Sequence, residues 1–169
     1  VMIPKTVVLC TDLFEEFMDH NNLYQLALSD ADDTVILDAF RRATLPASLE
    51  GDILTFIEAT SSPIAVSPYQ PFAGIYNTYM VPLLDNRHRM LHMLCDAIKG
   101  VYASVFFKDS KAYMQATRNV IDQEKMAVIL QEVVGRQYGD RYYPSISGVG
   151  RSPNYYPIGD ELAEEGIVS

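Results

Sequence analysis

The segment Met-Ala-Val-Ile-Leu-Gln-Glu-Val-Val, residues 126–134, is the most hydrophobic stretch of the 169-residue chain. It is rich in β-branched residues and predicts a central strand, because strands buried within a sheet form near-continuous hydrophobic runs. Helical patterns dominate the sequence before it, and strand patterns dominate the sequence after it. This order of elements predicts an α+β fold.

Amphipathic helices are predicted where an N-terminal signal precedes apolar residues at helical spacing. In the first helix Asp12 is the predicted N-cap, with Glu15 three residues later in a capping box. The signals of the later helices are Ser29–Asp32, Pro46, Asp85 and Asp109–Ser110.

Strands are predicted from β-branched and aromatic residues bounded by turn residues. They cover residues 3–9, 64–66, 72–81 and 126–134, followed by two tyrosine-rich strands at 141–149 and 152–158. We therefore expect amphipathic helices packed on a mainly antiparallel sheet, in a single domain that spans residues 1–169.

Composition restricts the partners of this domain. The chain carries 13 Lys and Arg residues against 22 Asp and Glu residues, a formal net charge of −9. This balance argues against nucleic acid, because binding to a phosphate backbone requires a surplus of cations, and against anionic membrane surfaces. No apolar run approaches the ~18 residues of a transmembrane helix. We expect a cytoplasmic protein with no membrane partner.

The two cysteines, Cys10 and Cys95, each lie in an apolar stretch. A chain of this size can hold one disulfide, but two buried free thiols in a reducing cytoplasm are the simpler interpretation. His88 and His92 share one face of a predicted helix, as in zinc-binding helices. Arg89 stands where such helices carry a glutamate, and no third ligand is evident, so a solvated polar face is favoured over a metal site.

Five different motifs follow one another along nearly the whole chain. They are Ile3–Val8, Phe72–Tyr79 with its Phe-Ala-Gly start, Ala97–Phe106, Met126–Val134 and Ser147–Ser152. Each motif is modest alone, but together they resemble the N-terminal domain of the pyruvate phosphate dikinase and phosphoenolpyruvate synthase family.

The resemblance implies a lobe of the ATP-grasp type that binds ATP and Mg²⁺. In that family the domain phosphorylates a histidine on a swivelling domain, from which the phosphoryl group passes to pyruvate. The implied partners are the remaining ATP-grasp lobe, a phosphohistidine domain and a pyruvate-binding domain of a parent chain.

The resemblance also implies nucleotide-binding residues. A glycine at position 74 lets backbone amides approach phosphate without a Cβ clash, and the segment after Leu130 matches the hinge that lies against adenine. The implied set is Gly74, Thr78, Gln131, Glu132, Val133 and Val134, with apolar walls from Met126, Val128 and Leu130.

Several family features have no counterpart. A Gly-Gly-Lys segment and the acidic residues that hold the metal are missing, so we predict no catalytic and no metal-binding residue in this chain. Val66 continues directly into Ser67, where the family has a loop that begins Arg-Ser-Ser. We predict that a mobile loop of roughly eight residues is omitted here; the alternative is a true deletion.

Two functions are therefore expected from the resemblance. The first is an ATP-binding fragment of a dikinase-like phosphotransferase, since the chain stops in an apolar run at Gly166–Ser169. The alternative is a non-catalytic nucleotide-sensing or partner-docking domain, and an unrelated α+β interaction domain is a third interpretation. We also expect a large exposed apolar patch, including parts of 126–134, that a homodimer contact covers.

Overall fold

The computed structural model describes residues 3–70, 75–116 and 125–168. The chain divides into two compact units, Val1–Val133 and Val134–Ser169. Whether the two units make the one domain expected for residues 1–169 stays a prediction.

The first unit combines helices with a four-stranded sheet. Its strands are β1 (Thr6–Leu9), β2 (Ile64–Pro68), β3 (Tyr79–Val81) and β4 (Val128–Glu132). Its helices are α1 (Thr11–His20), α2 (Tyr24–Ala27), α3 (Asp33–Arg42), α4 (Ala47–Ala59), α5 (Arg87–Ser104) and α6 (Lys108–Ala116). The predicted α+β fold class is confirmed.

Strand β4 occupies an inner position of the sheet. The strand order is β1-β4-β2-β3, and every neighbouring pair is antiparallel. Leu130 at the centre of β4 lies opposite Val7 on one side and Val66 on the other. The central strand predicted within residues 126–134 is confirmed, although it covers only Val128–Glu132.

One face of the sheet packs into the hydrophobic core. The sheet side chains on this face that are fully buried are Ile64, Val66, Val128 and Leu130. The same core contains an aromatic cluster whose ring centroids lie 5.1 to 6.3 Å apart, formed by Phe14, Phe17, Phe40, Tyr102 and Phe106. Burial of each such side chain stabilises the fold by about 1.5–3 kcal/mol.

The N-cap of α5 differs from the prediction. The cap is Asn86 rather than Asp85, and its Oδ1 accepts a hydrogen bond from the Arg89 backbone N–H at 3.0 Å. An N-cap carbonyl oxygen satisfies one of the amide groups that a helix leaves free at its start. Asp85 therefore lies one residue outside the helix.

Helix α1 also starts earlier than predicted. Its N-cap is Cys10, which makes no side-chain capping bond. Asp12 consequently lies in the first turn, where its carboxylate interacts favourably with the positive end of the helix dipole. The capping box predicted between Asp12 and Glu15 does not form, because β1 leads into the helix with a single residue between them.

Strand β2 runs without a break through the junction of Val66 and Ser67. Val66 lies opposite Leu130 and Ser67 opposite Ile129, in consecutive register positions. Consecutive pairing places the two residues one trans peptide apart, with Cα atoms about 3.8 Å from each other. The continuous register agrees with the alternative of a true deletion, and the omission of a loop between Val66 and Ser67 stays a prediction.

Strand β3 is much shorter than the strand predicted at 72–81. Residues 71–74 lie outside the described residues, and β3 begins only at Tyr79. The backbone before it bonds to helical serines instead of a neighbouring strand. Asn77 N donates to Ser104 Oγ at 3.2 Å, and Ser110 Oγ donates to Ile75 O at 3.3 Å.

The second unit contains two small antiparallel pairs. Strands β5 (Arg136–Tyr138) and β6 (Arg141–Tyr143) form a hairpin whose turn places Gly139 at a φ of +64°. Strands β7 (Gly150–Arg151) and β8 (Ile167–Val168) form the other pair, and a 3-10 helix covers Ala163–Glu165. The tyrosine-rich strand predicted at 141–149 covers only Arg141–Tyr143, and the one predicted at 152–158 does not form.

A loop replaces the second of those predicted strands. The side chain of Asn154 is buried, donates to Glu161 Oε2 at 3.0 Å and accepts from the Tyr156 backbone at 3.0 Å. Glu161 also accepts from the Ile158 backbone at 3.2 Å. These local bonds satisfy the backbone amides that a strand would have offered to a neighbour.

Within the ranges that the structure describes, no single helix has both the length and the apolar character to cross a membrane. Helices α5 and α6 meet those criteria only when taken as a pair, which bends by 41°.

The buried phenol of Tyr102 generates a stability prediction. Its hydroxyl has no hydrogen-bond partner among the described residues, and burial raises its pKa above the ordinary value. A buried hydroxyl without a partner costs about 1–3 kcal/mol. We expect Tyr102→Phe to leave the free energy of unfolding unchanged or to raise it by up to about 1 kcal/mol in urea denaturation.

The neighbouring ring of Phe14, 5.1 Å from Tyr102, provides the control. Phe14→Ala removes a fully buried ring and should lower the free energy of unfolding by about 3–5 kcal/mol. A loss of more than about 1 kcal/mol in Tyr102→Phe would show that the hydroxyl makes a stabilising bond, against our interpretation.

Candidate functional site

The sheet has a second face, opposite the buried one, which we call the open face. Side chains alternate between the faces along a strand, and residues directly opposite each other on neighbouring strands share a face. The register therefore assigns to the open face Thr6, Val8, Ala65, Ser67, Met80, Ile129 and Gln131. Every one of these side chains is exposed or half-buried.

One row of paired residues crosses all four strands of the open face. Gln131 lies between Thr6 and Ala65, and Ala65 lies opposite Met80 on the edge strand. Strands stand about 4.8 Å apart, so this row is about 14 Å wide. Such a width accommodates a nucleoside lying flat.

The open face is mixed in polarity but uncharged. Ile129 lies between Val8 and Ser67 in a second row, two residues along β4 from Gln131. Met80 is 66% exposed and Val8 is 48% exposed, so apolar surface remains available beside the amide and hydroxyl groups. A neutral and partly apolar surface suits an aromatic ring better than an anion.

A relay of hydrogen bonds fixes the amide of Gln131. Gln131 Nε2 donates to Thr6 Oγ1 at 2.9 Å, and Thr6 Oγ1 donates to Pro4 O at 3.1 Å. A hydroxyl has a single proton. Because Thr6 gives that proton to Pro4, its oxygen must accept from Gln131, and the amide presents its NH₂ group to Thr6.

Glu132 holds together three parts of the first unit. Its Oε2 accepts from the Lys5 backbone N–H at 3.2 Å, and its Oε1 accepts from the Ser61 backbone N–H at 3.1 Å. Both carboxylate oxygens are thus engaged where β1, β4 and the α4–β2 connection meet. Its predicted contact with a nucleotide stays a prediction.

The predicted hinge groups after Glu132 lie in different surroundings. The Val133 backbone N–H donates to Pro63 O at 2.8 Å, so a nucleotide finds this donor already engaged. Val134 is 51% exposed and is the first residue of the second unit. The roles predicted for both residues stay predictions.

The two residues predicted to contact phosphate are less fully described. Thr78 is exposed and lies immediately before β3, two residues from Met80. Gly74 lies outside the described residues. The structure thus groups Gln131, Glu132 and Val133 at one end of β4 and places Thr78 two strands away from them.

The apolar walls predicted for the nucleotide are wrong. Val128 and Leu130 are fully buried and Met126 is 2% exposed, so all three belong to the core. The sequence does contain the signal for the exposed side of β4: Gln131 is polar, and Ile129 has the same parity. Sequence reasoning did not single out the other residues of the open face that lie around Gln131, which are Thr6, Ala65, Met80 and Ile129.

A separate cleft of about 290 Å³ lies between the α3–α4 connection and α5. Its lining includes Glu50, His92, Cys95, Asp96 and Lys99, and none of the predicted nucleotide-binding residues. Among the described residues, no three His, Cys, Asp or Glu side chains converge to hold a metal ion.

Comparison with protein families bears on the use of the open face. A sequence model of the family described as "Pyruvate phosphate dikinase, AMP/ATP-binding domain" matches residues 1–166. The chain belongs to this family. No curated protein matches it. Membership in the AMP/ATP-binding domain family supports nucleotide binding and confirms the resemblance inferred from the motifs.

The two cysteines of this AMP/ATP-binding domain should differ in reactivity. Both are free and Cys95 is buried, but Cys10 is exposed, so the expectation of two buried thiols is wrong for Cys10. Burial first, and then the nearby Glu50 carboxylate, raises the pKa of the Cys95 thiol to about 11. Because only the thiolate attacks electrophiles, the reactive fraction of Cys95 at pH 8 should be about 100-fold below that of an ordinary thiol.

We expect iodoacetamide at pH 8 to modify Cys10 and to leave Cys95 intact in the folded protein. Both thiols should react in guanidinium chloride, which is the control. Modification of Cys95 in the folded state should become appreciable only as the pH approaches about 11. Peptide mass mapping measures both sites, and equal labelling of the two thiols at pH 8 contradicts the burial argument.

Proposed function

We propose that this chain is the nucleotide-binding lobe of a dikinase-like phosphotransferase and that the base of an adenine nucleotide lies on the open face. Family membership over residues 1–166 supports the nucleotide class. The observation that carries the location is β4, which places Gln131 among apolar neighbours on an uncharged face at an inner position of the sheet.

The wider activity is part of the same proposal. In the family that the chain resembles, the nucleotide phosphorylates a histidine on a separate domain, and pyruvate accepts the phosphoryl group. We extend this activity to a cytoplasmic parent protein with its remaining ATP-grasp lobe, phosphohistidine domain and pyruvate-binding domain. A homodimer is a further candidate assembly, and no described residue is assigned a catalytic role.

The phosphates and Mg²⁺ fit the described residues poorly. The open face carries no cation, and the ammonium of the adjacent Lys5 donates to Ala59 O. No group of three or more acidic or imidazole side chains converges in the described ranges. Phosphoryl transfer needs positioned cations around the phosphates, and the described residues of the open face supply none.

A second candidate is a non-catalytic nucleotide-sensing or docking domain of the same family. Strand β2 continues from Val66 into Ser67 without a loop, so the arginine of the family's Arg-Ser-Ser loop has no counterpart there. This observation favours the second candidate. A domain without that side chain retains a surface for the base and loses a contact to phosphate.

Nucleotide titration tests the proposed location. Met80→Glu places a carboxylate on the open face, and it should weaken AMP binding at least about tenfold through repulsion and loss of apolar contact. Val35→Glu is the matched control, because Val35 is 50% exposed on α3. It should change the affinity by less than about twofold.

Isothermal titration calorimetry measures both variants, and thermal melting confirms that each remains folded. Equal losses of affinity in the two variants would place the nucleotide elsewhere. An unfolded Met80→Glu variant can be replaced by Met80→Gln, for which a smaller loss in the same direction is expected.

The dependence on phosphate number should be weak. Because the open face has no cation, adenosine, AMP and ATP should bind within about threefold of one another at physiological salt. A preference of more than about tenfold for ATP over adenosine would show that residues outside the open face bind the phosphates. Titration of the three ligands under one buffer condition measures this.

The chain as given should neither hydrolyse ATP nor label itself. Transition-state charge on a transferred phosphoryl group requires cationic or metal stabilisation, and the described residues place none on the open face. Incubation with radiolabelled ATP and magnesium measures both reactions. Robust turnover or label transfer by the pure chain contradicts the prediction.

A further inference from the structure

We propose that Gln131 determines base specificity on the open face and that Thr6 is the residue that positions it. The pair selects a base with an exocyclic amino group, adenine, over one with a carbonyl at the same position, as in hypoxanthine. The inference rests on the proposed nucleotide-binding function and adds which side chains choose the base.

The relay from Gln131 through Thr6 to Pro4 gives the amide one preferred orientation. Reversing the amide would set Gln131 Oε1 against Thr6 Oγ1, and the pair could then bond only if Thr6 gave up its 3.1 Å bond to Pro4 O. Loss of one such bond disfavours the reversed amide by about tenfold. Thr6 is therefore a positioning residue, which acts on the base through the amide of Gln131.

The preferred orientation leaves Gln131 Oε1 as a free acceptor. This oxygen accepts no hydrogen bond within the described ranges, and the side chain is exposed. An adenine amino group donates to such an oxygen. A carbonyl in its place sets two acceptors against each other, so the direct hydrogen bond is lost.

Apart from the hydroxyls of Thr6 and Ser67, the open-face groups around this amide are apolar. Ala65 lies beside Gln131 in the same row, Met80 follows it, and Ile129 lies two residues away on the same strand. These apolar groups support a ring without distinguishing its edge. The nearest backbone donor of the predicted hinge, Val133 N–H, is engaged by Pro63 O.

Adenosine and inosine form the sharpest pair of probes, because they differ at the amino group and lack phosphate. We expect the unmodified protein to bind adenosine at least about tenfold more tightly than inosine. Thr6→Val keeps the shape and the β propensity of the residue but removes the relay. It should reduce the preference to about threefold or less, because the amide then rotates freely.

Thr6→Ser restores the hydroxyl and should restore the preference, an outcome that a purely structural role of Thr6 would not produce. Thr34→Val is the matched control, since Thr34 is exposed on α3 and away from the sheet. It should leave the preference unchanged. Gln131→Met should abolish the preference while retaining weak binding of both nucleosides.

Calorimetric titration of both nucleosides, with a thermal melt of every variant, separates the outcomes. Adenosine binding without preference over inosine, or a Thr6→Val protein that is folded and keeps the full preference, overturns this inference and leaves the proposed function standing. Failure of the unmodified protein to bind either nucleoside overturns both. If Thr6→Val does not fold, the ratio of adenosine to inosine affinity in Gln131→Met decides. A ratio unchanged from that of the unmodified protein contradicts the proposal.

Discussion

Side-chain alternation along β4 is the constraint on which the rest of the first unit depends. Val128 and Leu130 enter the core, while Ile129 and Gln131 stand on the open face. β4 pairs with strands on both sides, so a slip of one residue would exchange the two sets. It would bury an amide without partners and expose two core residues, at a cost that neither neighbouring strand offsets. The buried core and the open face are therefore fixed together.

Sequence reasoning located β4 but not its faces, for a physical reason. A continuous hydrophobic run predicts an inner strand, yet it does not say which parity faces the helices. That choice is made by pairing with Val7 and Val66, both far away in sequence. The same limit applies to the candidate site. Gln131 was reached through its family resemblance, whereas Thr6 is 125 residues away and becomes its partner only through the register of β1.

Local signals failed where tertiary bonds replaced them. The strand pattern of residues 75–78 is overridden because Ser104 and Ser110 bond to that backbone. The tyrosines near residue 155 suit a strand, but Asn154 and Glu161 satisfy the local amides. Side chains of distant or loop residues thus decide whether a segment with strand propensity pairs at all.

The engaged groups at the end of β4 narrow how a base can be recognised. Both carboxylate oxygens of Glu132 accept hydrogen bonds from backbone N–H groups, and the Val133 N–H donates to Pro63 O. These bonds tie the strand end to its neighbours, so a ligand must displace Pro63 O to use the Val133 N–H as a donor. Breaking such a bond offsets most of what a new one contributes. The free oxygen of Gln131 carries no such cost.

The two candidate functions differ in the charged groups that they require around the phosphates. An uncharged face in a protein of net charge −9 contributes little to gripping phosphate. In an enzyme, the cations that stabilise the transferred phosphoryl group must come from outside the open face. The contact with the base then holds the nucleotide in position for the transfer. In a sensor, no such cations are required, and the base contact is the whole of the recognition. The proposed base site on the open face is compatible with both functions, because the described residues of that face carry no cation for the phosphates.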